Sequence, residues 1–154
     1  MNLEIEIRDP RDTDMTSLLQ AHLDFCTLST PIEHVHALDV FKLVSPDITV
    51  FGAKLDGNLV AVGAVRFLEE NQAELKSMHT LQEVRGKGVG RKMVEHIQDY
   101  VLDKGVTRLS LETGTSAVFE PARNLYQSMG FVPSDAFGEY ENTEDNICMT
   151  KTLA

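Results

Sequence analysis

Arg85-Gly86-Lys87-Gly88-Val89-Gly90 constrains this chain more than any other stretch. It lies between an apolar, strand-like run from Glu74 to Thr80 and a helix-like run from Arg91 to Lys104. Glycines at alternate positions remove Cβ atoms where a backbone turns sharply or approaches a ligand closely. A helix that starts there aims its free N–H groups and the positive end of its dipole back at the turn. Arg85, Lys87 and Arg91 add full charge. Strand, glycine turn and helix in this order predict a cradle for phosphate.

Two familiar cradles are excluded by spacing. A P-loop needs Gly-Lys-Ser/Thr after four intervening residues, and here Gly90 is followed by Arg91 and Lys92. A dinucleotide fingerprint needs Gly-x-Gly-x-x-Gly; from Gly86 the last place is Arg91, and from Gly88 it is Lys92. The pattern that fits is Arg-x-x-Gly-x-Gly.

The 154 residues predict one domain spanning residues 1–154, and 42% hydrophobic residues suffice for a core. No apolar run reaches the roughly 20 residues of a membrane span. Met1 to Glu6 is acidic and alternating, unlike a signal peptide. Cys26 and Cys148 have no metal or redox spacing and read as free thiols, which suits a cytoplasmic location. A formal net charge of −10 opposes nucleic acid and anionic membranes as partners. It permits one local anion site, and four of the 14 bases crowd between Arg85 and Lys92.

Along the chain, Leu3 to Arg8 reads as a strand. A helix follows to Cys26, capped by Asp12 or Thr13, with Leu18, Leu19, His22, Leu23 and Cys26 on one face. Glu33 to Val44 reads as a shorter helix. Ile48 to Leu55, Leu59 to Leu68 and Ala73 to Thr80 read as a strand meander, with Asp56-Gly57-Asn58 a hairpin signal. After the glycine loop and its helix come a strand (Val106 to Glu112) and a helix (Phe119 to Met129) with Gly130 as its stop. A polar stretch from Pro133 to Asp145 and a closing strand from Asn146 to Leu153 complete the chain. The expected fold is α/β (α+β type), with a mixed, mostly antiparallel central sheet covered by helices on both faces. His34 and His36 stand two apart, which on a helix does not make a metal pair, so no metal is expected.

A second signature, Ala122-x-x-x-Tyr126-x-x-x-Gly130-Phe131, follows the first by about 35 residues. Strand, Arg-x-x-Gly-x-Gly, helix, strand and this signature resemble the GNAT superfamily of acyl-CoA N-acyltransferases. Leu111-Glu112-Thr113-Gly114 and Phe137-Gly138-Glu139-Tyr140 look like those of small bacterial members. The resemblance implies an acetyl-CoA-dependent N-acetyltransferase acting on a small amine. It implies that the amides of Gly86, Lys87, Gly88, Val89 and Gly90 hold the acetyl-CoA pyrophosphate, with Arg85, Lys87 and Arg91 nearby. Pantetheine would enter a gap where the preceding strand splays at a bulge, pairing with the Met78, His79 and Thr80 backbone. A homodimer through the terminal strand is in keeping with the family. One departure stands out: many members carry Asn three residues before the Ala of the second signature, and here that residue is Phe119. Asn124 is the nearby amide on the same helix and is included among the expected cofactor contacts.

Transfer of acetyl from sulfur to nitrogen needs a neutral amine, hence a base, and an acid for the leaving thiolate. By resemblance Tyr126 is the candidate acid; as a residue type alone it better fits a core tyrosine packing its helix on the sheet. Glu74, on the strand feeding the glycine loop, is the candidate base or else a solvated strand-edge carboxylate. His79 is the rival base. Glu112 either orients substrate or caps a turn. Asp135, Glu139, Glu141, Glu144 and Asp145 form an anionic stretch; lining the acceptor mouth, it would favour a cationic amine. Two alternatives remain open on sequence: a non-catalytic acyl-CoA sensor on the same fold, and a generic nucleotide-phosphate binder.

Overall fold

Strand pairing between neighbours in sequence builds the first half of the sheet. In the computed structural model, which describes residues 2–28, 40–138 and 140–153, β1 (Leu3–Ile7) pairs antiparallel with β2 (Ile48–Leu55). β2 turns through Asp56 and Gly57, both at positive φ, into β3 (Asn58–Phe67). Two left-handed residues match the twist of the flanking strands, so this Asp-Gly turn closes a tight hairpin. Glu70 and Asn71, also at positive φ, lead into β4 (Gln72–Thr80). Helix α1 (Thr13–Thr27) lies between β1 and β2 in sequence, as does the short α2 (Val40–Leu43). Asp12 stands at the N-cap of α1, but its carboxylate accepts a hydrogen bond from Arg8 at 3.2 Å, not from a helix amide. The expected second helix from Glu33 is described only from Val40 onward, and His34 and His36 lie outside the described residues.

The second half reverses the rule. Helix α3 (Val89–Asp103) returns the chain so that β5 (Arg108–Gly114) runs parallel to β4. Helix α4 (Glu120–Ser128) follows, preceded by one 3-10 turn at Ala117–Phe119. The polar stretch contains a short strand, β6 (Val132–Ser134), and β7 (Asn146–Thr152) inserts between β5 and β6. Among the described residues the sheet has seven strands in the order β1-β2-β3-β4-β5-β7-β6, and only β4 and β5 are parallel. The expected mixed, mostly antiparallel sheet with helices on both faces is what forms.

Each face has its own core. Met93, Ile97 and Val101 of α3 and Tyr126 of α4 pack with Val65, Leu75 and Leu111 on one face. Met15, Leu18 and Leu19 of α1 pack with Val50, Val62 and Ala64 on the other. Alternation along β4 follows from this: Ala73 and Leu75 enter the first core, while Glu74 and Lys76 point to the α1 face.

A bulge then breaks the alternation. Val62 pairs with His79 and Ala64 with Lys76, so Ser77 and Met78 together oppose Gly63. Ser77 takes φ +52°. The extra residue puts His79 beside Val62 on the α1 face; unbulged, it would point to the α3 face. Gly63 makes room for this, because a Cβ there would lie 2.6 Å from Met78 Sδ and 3.1 Å from Met93 Cγ. Gly63→Val is therefore expected to cost roughly 1–3 kcal/mol by overpacking. Urea denaturation against wild type reads this; an unchanged midpoint would show that the bulge does not need the glycine.

Candidate active site

The glycine turn leaves its backbone open. Gly86 and Gly88 take φ +82° and +81°, a conformation that disfavours any side chain. Gly88 is the N-cap of α3, and no side chain caps the helix. Lys92 N–H is the first to bond back, to Gly88 O at 3.1 Å. Among the described residues, no backbone or side-chain acceptor meets the amides of residues 86–91. Six unmet amides at a helix start suit an anion. Arg91 is held at the rim by Ser128 Oγ, 2.6 Å away. Arg85 folds back, donating to Thr80 O at 3.1 Å and stacking over Phe25.

Next to this nest the sheet opens. β4 and β5 pair only from Gln72 to Leu75 and from Arg108 to Leu111; beyond that they diverge. The opening is a cavity of about 450 Å³. Its walls are the ends of β4 and β5, and α4 closes one side with Ala122, Leu125 and Tyr126. Phe119 also lines it, edge-on to Phe25 at 5.4 Å. Its ring covers Gly114 so closely that no Cβ fits there. An apolar ring thus stands where an amide was expected from the family pattern.

Tyr126 is buried and packs against Phe131. Its hydroxyl has no hydrogen-bond partner among the described residues, and burial raises its pKa well above the ordinary 10. It stays a phenol at neutral pH, able to donate and reluctant to ionise.

On the α1 face, Glu74 is 3% exposed and Lys76 8%. Lys76 Nζ lies 2.9 Å from Glu74 Oε2 and 2.8 Å from the Tyr140 hydroxyl, which itself donates to Glu74. Desolvation and the adjacent Glu74 carboxylate push the Tyr140 pKa upward. Glu74 is therefore neither a solvated edge carboxylate nor an unengaged base. β4 lies between β3 and β5, and an ion pair buried there is costly to break from one side.

His79 sits where the bulge puts it. Its Nδ1 lies 3.2 Å from His22 Nδ1, and His22 Nε2 lies 3.6 Å from Cys26 Sγ. Desolvation and, secondarily, His79 lower the His22 pKa to about 4. Desolvation and Arg85 lower that of His79. Desolvation and Glu112 raise Cys26 to about 11. Glu112 accepts from Asn146 Nδ2 at 3.1 Å.

Most expected site residues line this cavity: Glu74, His79 and Tyr126, the Met78 and Thr80 backbone positions, Arg85 and Arg91, and the turn at Gly86, Gly88, Val89 and Gly90. Lys87 and Asn124 are exposed and do not line it. Asn124 is two residues from Tyr126, so about 200° of helical rotation carries it to the opposite side of α4. His22, Cys26, Lys76 and Tyr140 also line the cavity without having been singled out as site residues. The alternation of Glu74 and Lys76 on one strand face was the available signal for the ion pair.

The acetyltransferase (GNAT) family model matches residues 15–131. The chain belongs to the acetyltransferase (GNAT) family. It is an acetyl-CoA-dependent N-acetyltransferase. It is 39% identical to the uncharacterized N-acetyltransferase YsnE of Bacillus subtilis (strain 168), over 98% of this chain and all of that one. It is 36% identical to the uncharacterized N-acetyltransferase YedL of Escherichia coli (strain K12), over 89% of this chain and 86% of that one. Its fold matches the crystal structure of PaiA N-acetyltransferase from Thermoplasma acidophilum in complex with coenzyme A. The TM-score is 0.76 at 18% identity, covering 99% of this chain and 100% of the other.

The half-buried His22 gives this GNAT protein an acid-sensitive stability. His22 has a folded pKa of about 4, below the ordinary 6.5. The unfolded chain takes up the proton first, so the His22 contribution is intact above pH 6.5 and lost as pH falls toward 4. With solvent screening at the cavity wall allowed for, the loss is on the order of 2 kcal/mol. Denaturation at pH 7 and pH 4.5 should show His22→Leu losing less stability than wild type; equal losses would contradict the assignment.

Proposed function

We propose that this protein transfers acetyl directly from acetyl-CoA to the neutral amine of a small acceptor that carries positive charge. The observation that carries the reading is a single cavity joining an open amide nest, a splayed strand pair and a protonated tyrosine. The nest fits the diphosphate of the donor, and the gap between β4 and β5 fits an extended pantetheine arm. Free backbone groups beyond Leu75 are available to pair with its amides, and an N–H of the bulge to polarise the thioester carbonyl. In this reading Tyr126, which lines the gap, donates to sulfur as the carbon–sulfur bond breaks, leaving coenzyme A as the thiol.

The roles of Tyr126, Glu74 and His79 are proposals from this geometry. Glu74 is engaged by Lys76 and Tyr140, which favours His79 as proton acceptor and leaves Glu74 as an anchor for the terminal segment. Charge supports the acceptor class. Glu74, Glu112 and Asp145 line the cavity together with the ammonium of Lys76, whereas Arg85 and Arg91 stand at the nest. Carboxylates along that wall, in a chain of net charge −10, favour a second cationic group on the amine.

Coenzyme A release with a panel of diamines, neutral amines and amino acids tests both parts. Turnover should favour diamines, and Tyr126→Phe should lower kcat roughly 100-fold while the acetyl-CoA KM stays within about twofold. A preference for acidic amino acids would contradict the acceptor class, and a fully active Tyr126→Phe would remove the acid.

A further inference from the structure

Helix α1 presents two polar side chains to the cavity, His22 and Cys26, and the reading above gives neither a role. They sit four residues apart on one helix face, and His22 meets His79 from the other side of the bulge. The 3.2 Å between the two Nδ1 atoms has a chemical consequence. Two ring nitrogens bond only when one carries hydrogen and the other a bare lone pair, so each ring fixes the tautomer of its neighbour.

We propose that His22 is a positioning residue that holds His79 in its Nδ1–H form, so that His79 Nε2 is the proton acceptor for the substrate amine. This rests on the direct-transfer reading above. His79 Nε2 makes no hydrogen bond among the described residues. When it gains a proton, His79 carries hydrogen on both nitrogens and needs an acceptor at Nδ1. Among the described residues a bare His22 Nδ1 is the acceptor in reach, and His22 then carries its hydrogen on Nε2, facing Cys26 Sγ. The thiol fits that place because it stays protonated and can either accept or donate. The low pKa of His22 keeps it from competing for the proton, which stays on the ring facing substrate.

The surroundings are consistent. Among the described residues, α1 brings His22 and Cys26 to His79, the turn after β4 brings Arg85, and Glu112 of β5 faces Cys26. Val62 on β3 and the Phe25 ring add no charge. Arg85 disfavours the imidazolium, and the lone pair of His22 offsets this. In the reaction, Nε2 takes the proton from the amine, whose lone pair forms the C–N bond. The C–S bond breaks with its electron pair on sulfur, and Tyr126 protonates that sulfur. Solvent then removes the proton from His79 and restores the one on Tyr126.

Nitrogen-15 NMR of the imidazole rings tests the tautomer directly, together with pH profiles of kcat/KM. Wild type should show His79 as Nδ1–H. His22→Leu should lose that form and lower kcat roughly tenfold, with the acetyl-CoA KM unchanged within about twofold. Its acidic limb should move to lower pH, because the imidazolium has lost its acceptor. His22→Asn, which restores an acceptor near Nδ1, should recover the tautomer and most of the rate. An Nε2–H His79 in wild type, or His22→Asn no better than His22→Leu, overturns the proposal. Wild type that shows the Nδ1–H form yet releases no coenzyme A with any amine overturns the acetyl-transfer reading, and the base role with it.

Discussion

The bulge at Ser77 and Met78 opposite Gly63 is the constraint on which the site depends. One inserted residue has two effects at once. It turns β4 away from β5 after Leu75, opening a gap in the middle of an otherwise paired sheet. It also reverses side-chain alternation, so Met78 points to the α3 core while His79 shares a face with Glu74 and Lys76. A regular strand would have kept its backbone groups in the ladder and buried His79 against α3. The gap, the free backbone groups and the position of the histidine have one cause.

Charge is handled in opposite ways at the two ends. At the nest, attraction for an anion comes from main-chain amides and a helix start, so it is compatible with a chain of net charge −10. At the α1 face, full charges are buried and must be paired. Glu74, Lys76 and Tyr140 satisfy one another across 66 residues of sequence, tying the terminal segment to the centre of the sheet. Removing Lys76 alone would leave a buried carboxylate uncompensated, whereas replacing the whole group by apolar residues would be far milder. That asymmetry suits an anchor better than a proton shuttle.

Local features were legible in the sequence, and long-range ones were not. The glycine turn, the Asp56-Gly57 hairpin and the helix after the turn announce themselves in a few residues, because their chemistry is local. The second signature singles out Tyr126, which lines the gap. Tyr140 meeting Glu74, and His22 meeting His79 across 57 residues, depend on which strands become neighbours. No periodicity reports that. Glu74 reads in sequence as a base or else as an edge carboxylate, because nothing local says that β4 will be flanked on both sides. Asn124 looked close to the site in sequence, and helical phase puts it on the other side of α4. Lys87 belongs to the glycine turn and yet projects to solvent.

A crystal structure with bound coenzyme A addresses the central claim most directly. The account predicts the diphosphate against the amides of residues 86–91, the pantetheine arm between the diverging ends of β4 and β5, and the sulfur within hydrogen-bonding reach of the Tyr126 hydroxyl. A ligand lodged elsewhere, or a gap closed by re-pairing of β4 with β5, would contradict it.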